Sequence, residues 1–135
     1  MVSMSLKSLI NISAIYRDFS YCSGATSVST TAENAIQLGQ GVCQDYAHIM
    51  LAICRIEKMP ARYVVGMMTG EDYSHAWVEV KCKNYWYGFD PTNNYLVDEN
   101  YIKISHGRDF FDCLVNKGIY HNSAIEIQQI EVKVN

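Results

Sequence analysis

Only two prolines punctuate the 135-residue chain. No stretch reads as a flexible linker, an internal repeat or a low-complexity tract. That leaves no visible internal boundary and predicts one domain over residues 1–135. No apolar run approaches the ~18 residues that span a bilayer. The opening "MVSMSLKSLI" also lacks the apolar core and cleavage site of a secretory leader, so the sequence predicts no membrane contact and a cytoplasmic location. Lys and Arg number 11 against 14 Asp and Glu, giving a formal net charge of -3, and they never run together. This removes the electrostatic footprint that phosphate backbones require and argues against nucleic acid as a partner. The five cysteines, Cys22, Cys43, Cys54, Cys82 and Cys113, are odd in number and widely spaced, which excludes a fully paired disulfide framework. Nothing in the sequence signals an oligomeric state.

What is present falls into two halves. Residues 4 to 19 place Leu6, Leu9, Ile10, Ile12, Ile15, Tyr16 and Phe19 at helical spacing. "TTAENAIQLG" opens with threonines and a Glu at the distance a capping box uses, and Gly39 stops it. A third helix begins near Val42 and runs to about Lys58, carrying Ala47, Met50, Leu51 and Cys54 on one face, until Pro60 ends it. After Pro60 the period becomes two. "ARYVVGMMT", "HAWVEVKC" and "YWYGFD" read as strands of an antiparallel sheet, and "SAIEIQQIEVKVN" as a closing strand or pair. Helices first and strands after is an α+β order.

"LGQGVCQDYAHIML" puts Cys43 just past a Gly-Gln-Gly turn, at the start of the third helix and on its inward face. By itself this does not separate a nucleophile from a buried thiol, because free cysteine packs as a small hydrophobe. The strands add the rest. A two-residue turn at Lys83 and Asn84 sets Cys82 opposite Tyr85 and Trp77 opposite Asp90, so His75 and Asp90 become diagonal neighbours on one face, about 7–8 Å apart at the backbone. An imidazole and a carboxylate can close that gap. A free thiol has a pKa near ~8.5, and both a helix N-terminus and an adjacent imidazolium favour its thiolate. A carboxylate behind the imidazole fixes its orientation. Gly39 and Gly41 would admit a substrate carbonyl to the backbone, with the Cys43 N–H aimed at the developing oxyanion.

"GQGVCQDYAHIMLAICRIEKMPARYVVG", "SHAWVEV" and "GFDPTNN", in that order, resemble the transglutaminase-like superfamily of papain-like folds, and particularly its bacterial and archaeal cysteine-protease branch. The resemblance continues through "YIKISHGRDFFD" and covers the chain from about Phe19 onward. It implies an α+β papain-like core with Cys43, His75 and Asp90 as catalytic residues, and a thioester route to amide hydrolysis on a peptide or protein substrate. It departs from the family in two ways. The extra N-terminal domain of larger members is not expected here, and "DCLVNKGIY" lacks the proline common in that loop.

Other residues carry plainer expectations. Tyr21 could offer a hydroxyl to the oxyanion, and Trp77 and Trp86 share the triad's face as cleft walls or as core. His48, His106 and His121 read as structural, and Asp45 as a buried anchor partnered by Arg62 or Arg108. A zinc site built from Cys43, His48, His75 and Cys82 lacks paired ligand spacing, and no carboxylate cluster suggests calcium, so no cofactor is expected. Transfer to an amine, as in a protein-glutamine transglutaminase, and a silent peptide-binding module remain the competing functions.

Overall fold

The computed structural model describes residues 6–113, with side chains from residue 12. Its first two helices are α1 (Leu6–Asp18) and α2 (Ala32–Leu38), and the third, α3 (Cys43–Ile56), organises the rest. Ala47, Met50, Leu51 and Cys54 recur along α3 at three- and four-residue spacing, and none is more than 2% exposed. The helix ends at Ile56, capped by Glu57, and Lys58 then takes a left-handed φ of 58° ahead of Pro60. Ile12 and Ile15 of α1 are buried in the same core and Phe19 packs against it, whereas Tyr16 falls off the face and stays half exposed. The predicted cap of α2 is displaced by one residue. Thr31, not Thr30, accepts from the Asn34 N–H (3.1 Å), because the Thr30 hydroxyl is already taken by the Ser27 N–H (2.9 Å). Gly39 ends α2 with a φ of 72°, its N–H bonded to the Ala35 and Ile36 carbonyls.

A short parallel pair, β1 (Ser20–Tyr21) and β2 (Gln40–Gly41), ties the loop after α1 to the entrance of α3. The three predicted strands form as β3 (Ala61–Met68), β4 (Ser74–Cys82) and β5 (Tyr85–Asp90). Two further strands, β6 (Tyr95–Leu96) and β7 (Tyr101–Gly107), complete a five-stranded antiparallel sheet in the order β6-β5-β4-β3-β7. Strand alternation sends Tyr63, Val65, Ala76, Val78 and Val80 into the core shared with α3. On the opposite face Val64, Trp77 and Tyr101 form a second, smaller cluster flanked by Met68 and Val97. The predicted closing strand at 123–135, His121, and the side chains of Leu6, Leu9 and Ile10 lie outside the described residues. No helix among the described residues is long and apolar enough to cross a membrane.

The start of α3 is held by Asp45, which is 1% exposed. Its Oδ2 accepts from the Thr26 hydroxyl (2.6 Å) and from the Val42 N–H (2.9 Å), so one carboxylate both caps the helix and pins the loop before α2. The anchor role matches the sequence reading and the partners do not. Arg62 is taken by its cross-strand neighbour Glu79 (2.6 Å), and Arg108 contributes only backbone, its carbonyl accepting from Arg55 and its N–H donating to Asp112. Gly41 has a task that the sequence did not show. A Cβ there would lie 2.5 Å from Asp45 Oδ2, so the residue makes room for the anchor. Replacing Asp45 with Ala leaves the Val42 N–H and the Thr26 hydroxyl without their acceptor. Urea unfolding should then show a loss of about 1–3 kcal/mol, with a smaller loss for Asp45→Asn, which keeps one carbonyl oxygen.

Candidate active site

Four elements converge on one end of the sheet. The β1–β2 pair sets Tyr21 opposite Gly41, two residues before Cys43 at the first turn of α3. His75 lies at the start of β4 and Asp90 at the end of β5. The hairpin between them has the predicted register, Cys82 facing Tyr85 and Val78 facing Phe89. Its turn takes its positive φ at Lys83 (57°), although Asn is the residue with the stronger turn preference. The diagonal placement closes as a hydrogen bond of 2.8 Å between His75 Nε2 and Asp90 Oδ2.

Asp90 is fully buried, and five groups donate to it. Oδ2 accepts from His75, from Asn93 Nδ2 (2.8 Å) and from the Tyr101 hydroxyl (2.7 Å), while Oδ1 accepts from the N–H groups of Thr92 (3.0 Å) and Asn93 (3.3 Å). Burial alone would push the carboxyl's pKa up. The bonds from His75, Tyr101 and Asn93 outweigh it and hold the group below the ordinary carboxylate range. For His75 burial disfavours the imidazolium, yet Asp90 and the nearby Cys43 sulfur together push its pKa up to about 9. With Nε2 committed to Asp90, Nδ1 is the ring nitrogen left for Cys43. The helix N-terminus supplies the Cys43 N–H, one of the donors that no helical carbonyl can reach.

Beside His75 opens a cleft of about 410 Å³ whose lining includes Tyr21, Glu71, Tyr73, Asn93 and Tyr95. Tyr21 therefore shares this cleft with His75. Burial first, then the proximity of Cys43 and Glu71, raises the pKa of its phenol and keeps it protonated. The two tryptophans are elsewhere. Trp77 is 1% exposed, edge-on to Tyr101 (5.1 Å between centroids), and belongs to the second core cluster, so it backs His75 and does not wall the cleft. Trp86 lies four residues up β5 from Asp90, its ring covered by the Arg62 guanidinium at 3.9 Å.

His48 accepts from the Phe110 N–H (3.3 Å) and stacks near Tyr63, and His106 meets Arg62 (3.4 Å); neither belongs to the cleft. Among the described residues no group of three or more His, Cys, Asp or Glu is placed to hold a metal. Cys22, Cys43, Cys54 and Cys113 are free thiols. Sequence reasoning missed Tyr101 and Asn93 as positioning residues for Asp90. "DPTNN" carried a signal for Asn93, since a residue three past an Asp in a turn commonly donates back to it.

The raised pKa of His75 makes a directional prediction. A group whose folded pKa lies above its unfolded value contributes stability fully below the unfolded value, here 6.5, and loses it as pH rises through about 9. Asp90→Asn removes the charge that sustains the imidazolium. The His75 ring resonances in an NMR titration should then move their midpoint from about 9 down toward 6.5. The fall in unfolding free energy between those pH values should flatten in the variant.

Comparison with known proteins places the fold and the family. The family model of the transglutaminase-like superfamily matches residues 6–91. An uncharacterized protein of Mycobacterium tuberculosis is 37% identical over 139 residues, covering 90% of this chain and 44% of the relative. One of Mycobacterium leprae is 37% identical over 110 residues, covering 74% and 39%. The chain thus spans less than half the length of these curated relatives. Among solved structures, a "Putative Cysteine Protease" from Cytophaga hutchinsonii superimposes with a TM-score of 0.72 at 33% identity, covering 84% of this chain and 40% of that one. Calcium-bound LapG of Legionella pneumophila shares the fold at a TM-score of 0.64 and 14% identity, over 78% of this chain and 67% of that one. With the family model matching well over half of its residues, this chain belongs to the transglutaminase-like superfamily.

Proposed function

We propose that the chain hydrolyses amide bonds of peptide or protein substrates through an acyl thioester on Cys43. The buried His75–Asp90 hydrogen bond beside the first turn of α3 carries this reading. Cys43 Sγ attacks the carbonyl carbon, and the oxygen that gains charge takes hydrogen bonds from the Cys43 N–H and the Tyr21 hydroxyl. The tetrahedral adduct collapses, the C–N bond breaks, and His75 gives its Nδ1 proton to the leaving amine. Neutral His75 then takes a proton from water as its oxygen attacks the thioester. The acid leaves, and Sγ is again paired with an imidazolium. Asp90 stays ionised throughout and keeps Nε2–H in place. The cleft is lined by tyrosines and by polar side chains such as Glu71, Thr92 and Asn93, with Met68 as its one aliphatic residue, and Tyr21, Tyr73 and Tyr95 are open to solvent, which favours water as acceptor.

Two experiments test the proposal. Substoichiometric iodoacetamide near pH 6, read by peptide mapping, should label Cys43 well before Cys22, Cys54, Cys82 or Cys113. Burial pushes the Cys54 thiol up to about 11 and raises Cys113 as well. Labelling of Cys43 should slow when His75 is replaced by Ala, and even labelling across the five would remove the nucleophile assignment. In the second, a peptide library is incubated with wild type and with Cys43→Ala, with and without millimolar primary amine, and the products are weighed by mass spectrometry. Cleaved peptides that depend on Cys43 are expected. Mainly amine-linked products would make the chain a transglutaminase, and no Cys43-dependent product would make it a binding module.

A further inference from the structure

The cleft that admits a substrate to His75 has a distinctive chemistry. Three of its lining residues are tyrosines with rings open to solvent, Tyr21 at 52%, Tyr73 at 61% and Tyr95 at 44% exposure. Its lining includes one carboxylate, Glu71, half-buried in the loop between β3 and β4, and neither Lys nor Arg. Glu71 is not isolated at the rim. Tyr73 follows it by two residues in the same loop, both line the cleft with Tyr21, and the Glu71 carboxylate helps raise the pKa of both phenols. Cys43 begins α3 two residues past Gly41, the strand partner of Tyr21, and His75 lines the same cleft, so carboxylate, aromatic rings and the candidate nucleophile occupy one neighbourhood. The cation within it, the His75 imidazolium, is already committed to Asp90 and Cys43. The next residue in the loop, Asp72, is exposed and adds to the negative field.

A half-buried carboxylate that shares a cleft with three exposed tyrosines is complementary to an organic cation. The ring quadrupoles attract a cation lying over their faces, and the carboxylate supplies the charge partner, while an acidic group entering the same space would meet like charge with nothing to offset it. We propose that the recess formed by Glu71, Tyr21, Tyr73 and Tyr95 selects substrates that carry a Lys or Arg side chain next to the amide presented to Cys43. As a statement about substrate it rests on the amide hydrolysis proposed above. As a statement about the recess it does not.

The experiment separates the two. Cys43 is modified with methanethiosulfonate reagents of matched size, one bearing a trimethylammonium group and one a sulfonate. The thiolate attacks the reagent's sulfenyl sulfur, a mixed disulfide forms and methanesulfinate leaves, so no turnover is needed. Wild type should react faster with the cationic reagent. Glu71→Gln should cut the cation-to-anion rate ratio by up to about thirtyfold, since one charge at ~4 Å in water is worth about fivefold in attraction for the cation and again in repulsion for the anion, and Glu71→Lys should invert it. Asp72→Asn, which changes the field without touching the recess, should leave most of the ratio intact. A ratio near one in wild type, or a ratio unmoved by Glu71→Gln, overturns the proposal. In the peptide library, cleavage sites should be enriched in Lys or Arg within two residues of the cut, and Glu71→Gln should lose that enrichment while still cutting neutral peptides. Cleavage without basic enrichment overturns the substrate class and leaves the hydrolase standing. A cation-selective Cys43 that cleaves nothing overturns the hydrolase and leaves the recess standing.

Discussion

A carboxylate sealed from solvent at the end of β5 sets the terms for everything around it. An ionised group with no exposure is stable only when its lone pairs are filled, and removing one partner of such a pair is far more costly than never burying it. Asp90 meets this condition with donors from three places: the imidazole across the hairpin, the turn that follows it, and the first residue of β7. The register of β4 and β5, the turn at Thr92 and Asn93, and the docking of β7 on β3 are therefore coupled to one another through one side chain. In exchange Asp90 keeps its charge under His75 and keeps the imidazole charged beside Cys43.

The two faces of the sheet divide the remaining work. The face under α3 is apolar and carries the main core, so it fixes where the helix, and with it Cys43, begins. The other face is mixed. Near His75 it is aromatic, with Trp77 and Tyr101 packed edge to face; farther along it is ionic, with Glu79 held between Arg62 (2.6 Å) and Lys103 (2.9 Å) and with Arg62 lying on Trp86. The imidazole and the thiol come from opposite sides of the sheet and meet where β4 starts. This explains why a short parallel pair, β1 with β2, is built at that edge: it holds the approach to α3 against the loop that carries Tyr21.

How much of this is legible from the residues depends on how local each constraint is. The hairpin register follows from a two-residue turn and an alternation of period two, so the approach of His75 to Asp90 could be read from the letters. The inward stripe of α3 could be read for the same reason. Tyr101 could not, because its contact depends on β7 crossing to the far side of β3, a pairing that nothing local specifies. Trp77 lies on the face read for it, and of the two environments left open it takes the core one, because that face is covered by Tyr101 and Val97, which arrive from later in the chain. Asp45 reads as an anchor for a neighbouring loop because it lies two residues from Cys43 on a different face of the helix, and its capping of that helix emerges only from the structure. Its second partner, Thr26, sits 19 residues upstream in a loop without periodicity, and charge alone pointed to arginines that had closer partners.

The order of these residues along the chain has a consequence during synthesis. Cys43, His75 and Asp90 leave the ribosome in that sequence, and the hairpin bearing the last two can close as soon as residue 90 is free. Tyr101 belongs to the next strand, and only when it has docked is the fifth donor to Asp90 in place. A nascent chain that ends before it carries all three reactive groups but leaves the carboxylate open to water, which weakens its hold on the imidazole. The edge strand thus supplies the last donor to Asp90, and the carboxylate has its full partner set only when the sheet is complete.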